Sequence, residues 1–261
     1  MAPHRQRTAG PPPELMDAVA VVVVVAGFLT AALSGAAGLG GGTILIGLFY
    51  AIGMAPAEAV PLFAAVQLVS NSSRTVAYVR HVEWRAAGWF LLAAVPATIV
   101  VAPFITRVNA DLVRLVLAGL ILFSLLPGRA NQAPLPPRPS FVAAGLLNGS
   151  IGLFVGATGL FVGRLFFRPE WRKETTIGTL ALTQVLGHGL RVVAYGVIGF
   201  SALAQPALLA ALCLAVILGT IAGKRVNGLL SDEAFARLFQ WILIVLSVKL
   251  IYDGVRGLWW S

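Results

Sequence analysis

Between residues 17 and 255 the sequence is a succession of apolar runs, each long enough to cross a bilayer as a helix. About 20 apolar residues span the hydrocarbon core. The runs lie at 17–50, 57–79, 87–106, 110–126, 140–167, 174–199, 202–223 and 234–255. With 58% hydrophobic and 11% charged residues and a mean hydropathy of +0.88, the chain lacks the polar surface of a water-soluble domain. A membrane β-barrel would show short alternating segments instead. The expectation is an all-α integral membrane protein of about eight helical segments, two of them long and glycine-rich, passing several times through a bilayer.

The formal charge of +9 is dispersed over short loops, and no Lys/Arg run exceeds two residues. Cytoplasmic loop bias accounts for it, so no nucleic-acid partner is expected. Cys213 is the only cysteine and sits in an apolar run, which leaves no intramolecular disulfide and no thiolate metal site. No cofactor or metal is expected. At the N-terminus, His4, Arg5 and Arg7, a Pro-rich spacer and VAVVVVVAGFLTAALSGA imitate a secretory leader. Cleavage is not expected, because an internal repeat continues through this stretch.

That repeat is visible in QLVSNSSRTVAY at 67–78 and QVLGHGLRVVAY at 184–195, which share Gln67/Gln184, Arg74/Arg191 and Tyr78/Tyr195 at an offset of 117 residues. Gly35 matches Gly152 and Gly42 matches Gly159 at the same offset. GRANQAPLPPRPS at 128–140 is the long polar, Pro-rich break between the copies. The chain therefore divides into a flexible tail at 1–16, a first repeat at 17–127, a linker at 128–139 and a second repeat at 140–261. Duplicated helical halves are typical of secondary transporters, whose sites lie at the repeat interface near the midplane. Basic residues concentrate at Arg80/Arg85, Arg129/Arg138, Arg164–Lys173 and Lys224/Arg225. If all face the cytoplasm, 140–167 enters and returns without crossing, and the second half is inverted relative to the first.

SGAAGLGGGT at 34–43 interrupts a run otherwise able to span, and NGSIGLFVGATG at 148–159 does the same in the second half. Such glycines let a helix unwind, and unwound backbone at membrane depth must line a cavity or be buried in protein. A half-helix beginning near Thr43 would aim its free N–H groups at an anion. Gly40, Gly41, Gly42 and Thr43, with Gly156, Thr158 and Gly159, are thus candidate ligands; for Gly152 and Gly156, close helix packing is the other reading.

Gln67, Asn71, Arg74 and Tyr78 fall on one helical face, and Gln184, His188, Arg191 and Tyr195 repeat the spacing. Arginine in hydrocarbon costs a few kcal/mol and faces a cavity or a partner. Glu58, Glu83, Asp111, Glu170, Glu174, Asp232, Glu233 and Asp253 sit in loops or at segment ends, so the negative charge fits a substrate. A guanidinium suits carboxylate, sulfonate or phosphate oxygens. Gln67, Asn71, Arg74, Gln184, His188 and Arg191 are the candidate binding residues, with His188 a candidate for proton coupling. Arg74 near its segment end also fits snorkelling to the interface.

LSGAAGLGGGTILIG at 33–47, NGSIGLFVGATGLFVG at 148–163 and RKETTIGTLALTQVLGHGLRVVAYGVIGF at 172–200 together resemble the sulfite exporter TauE/SafE family of bacterial membrane permeases. The resemblance runs from about 18 to 256. It implies a permease or exporter of a small sulfur-containing anion such as sulfite or an organosulfonate, in the bacterial inner membrane. The chain departs from the family in having Ile46-Gly47 where many relatives place a proline, and in lacking a triple glycine in the second half. The reading is an alternating-access carrier with a small anion and the lipid bilayer as its partners. A passive anion channel would use the same residues. An intramembrane enzyme would need a serine–histidine pair or a zinc motif; His4, His81 and His188 form no such pattern, although Ser34 or Ser150 beside His188 stays open. No enzymatic activity is expected.

Overall fold

A computed structural model of the chain describes residues 13–37, 40–126, 135–226 and 232–260. Among these residues there are eleven α-helices and no strands. They are α1 (Pro13–Ala37), α2 (Gly41–Ala51), α3 (Pro56–Ala77), α4 (Trp84–Val101), α5 (Ala110–Leu125), α6 (Pro137–Gly149), α7 (Ile151–Val155), α8 (Gly159–Val162), α9 (Lys173–Val197), α10 (Pro206–Val226) and α11 (Asp232–Trp260). Four stretches are long and apolar enough to cross a membrane: Trp84–Arg107, Lys173–Val197, Pro206–Gly223 and Ala236–Trp260. Outward side chains such as Leu92, Ile99, Val100, Leu214, Val245 and Val248 are exposed and apolar, which suits lipid rather than water.

The expected eight segments become eleven because the two glycine-rich runs break. The run 17–50 divides into α1 and α2 around Gly40, and 140–167 divides into α6, α7, α8 and a 3₁₀ turn at Gly163–Phe166. The other six runs each give one helix. α1 begins at Pro13, inside the stretch read as a tail, while residues 1–12 lie outside the described residues. Of the linker, 128–134 lie outside them too, and α6 starts at Pro137.

Local chemistry sets the ends. Pro56 opens α3 at a position where a missing N–H costs nothing. The Asn109 side chain caps α5 by accepting from the Asp111 and Leu112 N–H groups at 2.7 and 3.3 Å. α2 is apolar all round and lies inside the bundle: Ile44, Leu45, Ile46, Phe49 and Tyr50 are each at most 2% exposed.

The main helix pairs, α1 with α10, α4 with α6, α3 with α9 and α5 with α11, each join one element before the linker to one after it. α1 and α10 run parallel, with Gly219 against the Phe28 carbonyl and Gly223 against Ala32. α4 and α6 are parallel as well, with Gly145 against Phe90 and Gly149 against Ala94. Small residues four apart allow both backbones to touch. α3 and α9 are antiparallel: Tyr78 meets Gly178, and Phe63 meets His188.

Arg168 Nη1 donates to the Leu135 carbonyl at 2.8 Å, and Arg164 Nη2 to the Ser124 and Leu126 carbonyls at 2.6 and 3.1 Å. The run 140–167 therefore returns to the end of the bundle from which it entered, where α5 finishes. The last residues of the first glycine-rich run, Tyr50 to Gly53, share a cavity with Asp111 and Arg114 at the start of α5. α5 is about 24 Å long at 1.5 Å per residue. The two broken runs thus return to opposite ends.

Candidate functional site

Each broken run interrupts helical pairing, and in the second run side chains of neighbouring helices supply donors to its carbonyls. Gly40 lies at φ +103°, in the left-handed half of backbone space where a side chain is strained, and α2 restarts at Gly41 with no side chain capping its first turn. In the second run Gly156 lies at φ +81°. The carbonyls just ahead of it are taken one after another: Gly152 O accepts from Arg191 Nε at 2.7 Å, Leu153 O from Tyr195 Oη at 3.0 Å and Phe154 O from Tyr50 Oη at 2.9 Å. The Arg and Tyr of the α9 stripe are therefore hydrogen-bonded to the broken helix.

Both breaks and both stripes converge on one cavity. Its wall includes Gly40, Gly41, Gly42 and Thr43 from the first break; Thr158 and Gly159 from the second; Gln67, Asn71 and Arg74 from α3; and Gln184 and His188 from α9. Of the residues expected from sequence, Arg191 and Gly156 do not line it. Arg191, 1% exposed, lies behind the wall, and Gly156 packs against Ile46 and Phe63. The cavity has a volume of about 60 Å³. On a scale where roughly 10–15 Å³ holds one water, it admits a few waters or a small oxyanion.

The polarity of the wall is one-sided. Arg74 is its one charged side chain apart from the imidazole of His188, and no Asp or Glu lines it among the described residues. Gln184 is 7% exposed and its Nε2 is a buried donor with no partner. An unsatisfied buried donor costs about 1–3 kcal/mol and points to a missing acceptor. Asn71 Nδ2 is turned to the Gln67 carbonyl at 2.9 Å, while Thr158 Oγ1 accepts from Asn148 Nδ2 at 2.8 Å.

Several wall residues escaped the sequence reading: Thr30 and Ala31 of α1, Ser70 of α3, and Val216 and Thr220 of α10. Thr30 and Thr220 are hydroxyls in apolar runs, bonded to the carbonyls of Ala26 and Val216 at 2.8 Å each. Their isolation was the available sign, but the parallel pairing of α1 with α10 that brings them together was not readable. Ser150 Oγ donates to the Leu146 carbonyl, and His188 Nδ1 is engaged by Arg191. The Ser34 side chain lies outside the described residues.

A probable sulfite/organosulfonate exporter TauE from Cupriavidus necator is 28% identical over 127 residues, an alignment taking in 44% of this chain and 50% of that protein. The chain thus spans about half the length of that relative. No solved structure matches. The family described as Sulfite exporter TauE/SafE matches residues 23–250, which include both glycine-rich breaks and both stripes, and the chain belongs to that family.

Proposed function

We propose that the protein is a permease that carries a small sulfur oxyanion, sulfite or a short organosulfonate, out across the bacterial inner membrane by alternating access. The observation that carries this reading is the cavity itself. It combines the Arg74 guanidinium, the partnerless Gln184 Nε2 and the uncapped start of α2, with no described carboxylate on its wall. A guanidinium, an amide and helix N–H groups are donors for an anion's oxygens. The small volume favours sulfite and the shortest sulfonates over larger organic anions. The name of the Cupriavidus necator relative points to the same substrate class.

The two halves at 17–127 and 140–261 act as inverted repeats that rock about the crossing of α3 and α9. Their opposed returns and the pairing of helices across the linker support this. A passive channel would need a continuous path, and the wall behind His188 is closed by Arg191, Gly152 and Asn148. That closure favours a carrier.

The test is thermal stabilisation of the purified protein against sulfite, thiosulfate, short sulfonates, carboxylates and phosphate at fixed ionic strength. A ligand of the folded state at 100-fold its Kd adds about 2.7 kcal/mol of apparent stability. A selective shift by sulfite or a sulfonate, lost in Arg74→Ala and reduced in Gln184→Ala, is expected. No shift with any anion sinks the reading.

A further inference from the structure

Arg191 ties three elements together with one guanidinium. Nε reaches the Gly152 carbonyl at 2.7 Å, Nη2 reaches Asn148 Oδ1 at 3.2 Å and the Asn148 carbonyl at 3.4 Å, and Nη1 lies 3.2 Å from His188 Nδ1. Asn148 is itself oriented, because its Nδ2 donates to Thr158 Oγ1 and so turns Oδ1 toward the arginine. The fork is held at both ends and cannot swing away. A guanidinium has donors and no acceptor, so at the remaining contact His188 Nδ1 must accept. An imidazole whose Nδ1 lone pair is used this way carries its proton on Nε2. Phe63 fixes the ring plane edge-on, with centroids 5.5 Å apart and planes at 75°. Nε2 has no protein partner among the described residues, and His188 forms part of the cavity wall.

We propose that Arg191 is a positioning residue that holds His188 as the neutral tautomer with Nε2–H turned to the cavity, where it donates to the bound anion. The anion part rests on the carrier reading above. The charged groups facing this ring are cationic: Arg191 from its own helix and Arg74 of α3 across the cavity, while α6 contributes the uncharged Asn148. A second proton on Nδ1 would break the bond to Arg191 and set imidazolium against guanidinium with no described carboxylate on the wall to offset it. His188 is therefore a fixed donor, not the proton carrier suggested by its place in the stripe, and anion binding does not follow its titration.

The experiment uses the full-length protein with ¹⁵N-labelled histidine. The chain has three histidines, and the resonances of His188 are those lost in His188→Gln. The expected spectrum of the ligand-free protein shows one neutral ring with Nε2 protonated between about pH 6 and 8. Arg191→Lys, which has donors and no acceptor, retains that tautomer, whereas Arg191→Gln, with an acceptor oxygen, admits the other. Sulfite shifts the protonated nitrogen. His188→Gln, which places an amide nitrogen near the Nε2 position, binds sulfite at least about tenfold more tightly than His188→Asn, whose amide falls near Nδ1. Protonation of Nδ1 in that pH range, alone or with Nε2, overturns the proposal, as do equal sulfite affinities for the Asn and Gln variants. Failure of sulfite to stabilise the unmutated protein would instead remove the carrier reading and the donor role with it, while the tautomer is still decided by the ligand-free spectrum.

Discussion

Arg74 and Arg191 occupy the same place in two copies of one motif, yet only Arg74 reaches the cavity. Helical spacing reveals which face a residue shares, so the Gln–polar–Arg–Tyr stripes were legible in sequence. It does not reveal what lies opposite, so the attachment of Arg191 and Tyr195 to the carbonyls of a broken helix was not. The two arginines should accordingly fail differently. Arg74→Ala removes a charged donor from the wall, and loss of about 1.5–3 kcal/mol of anion binding, a factor of roughly 10–150, is expected. Arg191→Ala leaves Asn148 Oδ1 without the Arg191 donor and takes the side-chain donor from the Gly152 carbonyl, which keeps the Gly156 N–H, and should lower the ligand-free melting temperature clearly. Undiminished anion affinity in Arg74→Ala, or an unchanged ligand-free melting temperature in Arg191→Ala, would contradict this division. Tyr195→Phe isolates the role of the phenol: the buried Leu153 carbonyl loses its partner, at a cost of about 1–3 kcal/mol in stability, with the cavity lining unchanged.

At the scale of elements, the glycine-rich runs announced breaks at 34–43 and 148–159, and α1/α2 and α6/α7/α8 part there. What the pattern could not supply is which glycines are conformational and which are steric. Gly40 and Gly156 have positive φ, whereas Gly187 in the middle of α9 is ordinary helix pressed against the Asn148 amide. Two residues on, Gly189 has open space where a Cβ would stand. Alanine at these neighbouring positions should act in opposite directions. Gly187→Ala pushes Asn148 from Arg191 and costs about 1–3 kcal/mol, the usual range for overpacking. Gly189→Ala adds a methyl in free space and removes glycine's entropy from a helix, for a gain of about 0.5–1 kcal/mol. Paired thermal melts of the two variants check this; equal destabilisation would mean that α9 does not meet α6 as described.

For the whole molecule, all-helical and apolar character were legible because they follow from local composition. Pairing across the linker was not, since contacts between residues 55 or more positions apart leave no periodic trace in one sequence. The opposed returns of the two broken runs carry the strongest consequence at this scale. The end holding Arg85, Arg138, Arg168 and Glu170 also receives Arg164 against the close of α5, while Gly53 lies beside Arg114 at its start. If the more basic end faces the cytoplasm, Gly53 faces the opposite side. Single cysteines at these two exposed positions, in a chain whose own thiol is removed by Cys213→Ala, convert that geometry into a labelling pattern. In intact cells a membrane-impermeant maleimide should modify Gly53→Cys and leave Glu170→Cys untouched until the membrane is permeabilised. Modification of both from one side would place the two returns on the same face and remove the inverted arrangement, and with it the proposed rocking of the two halves.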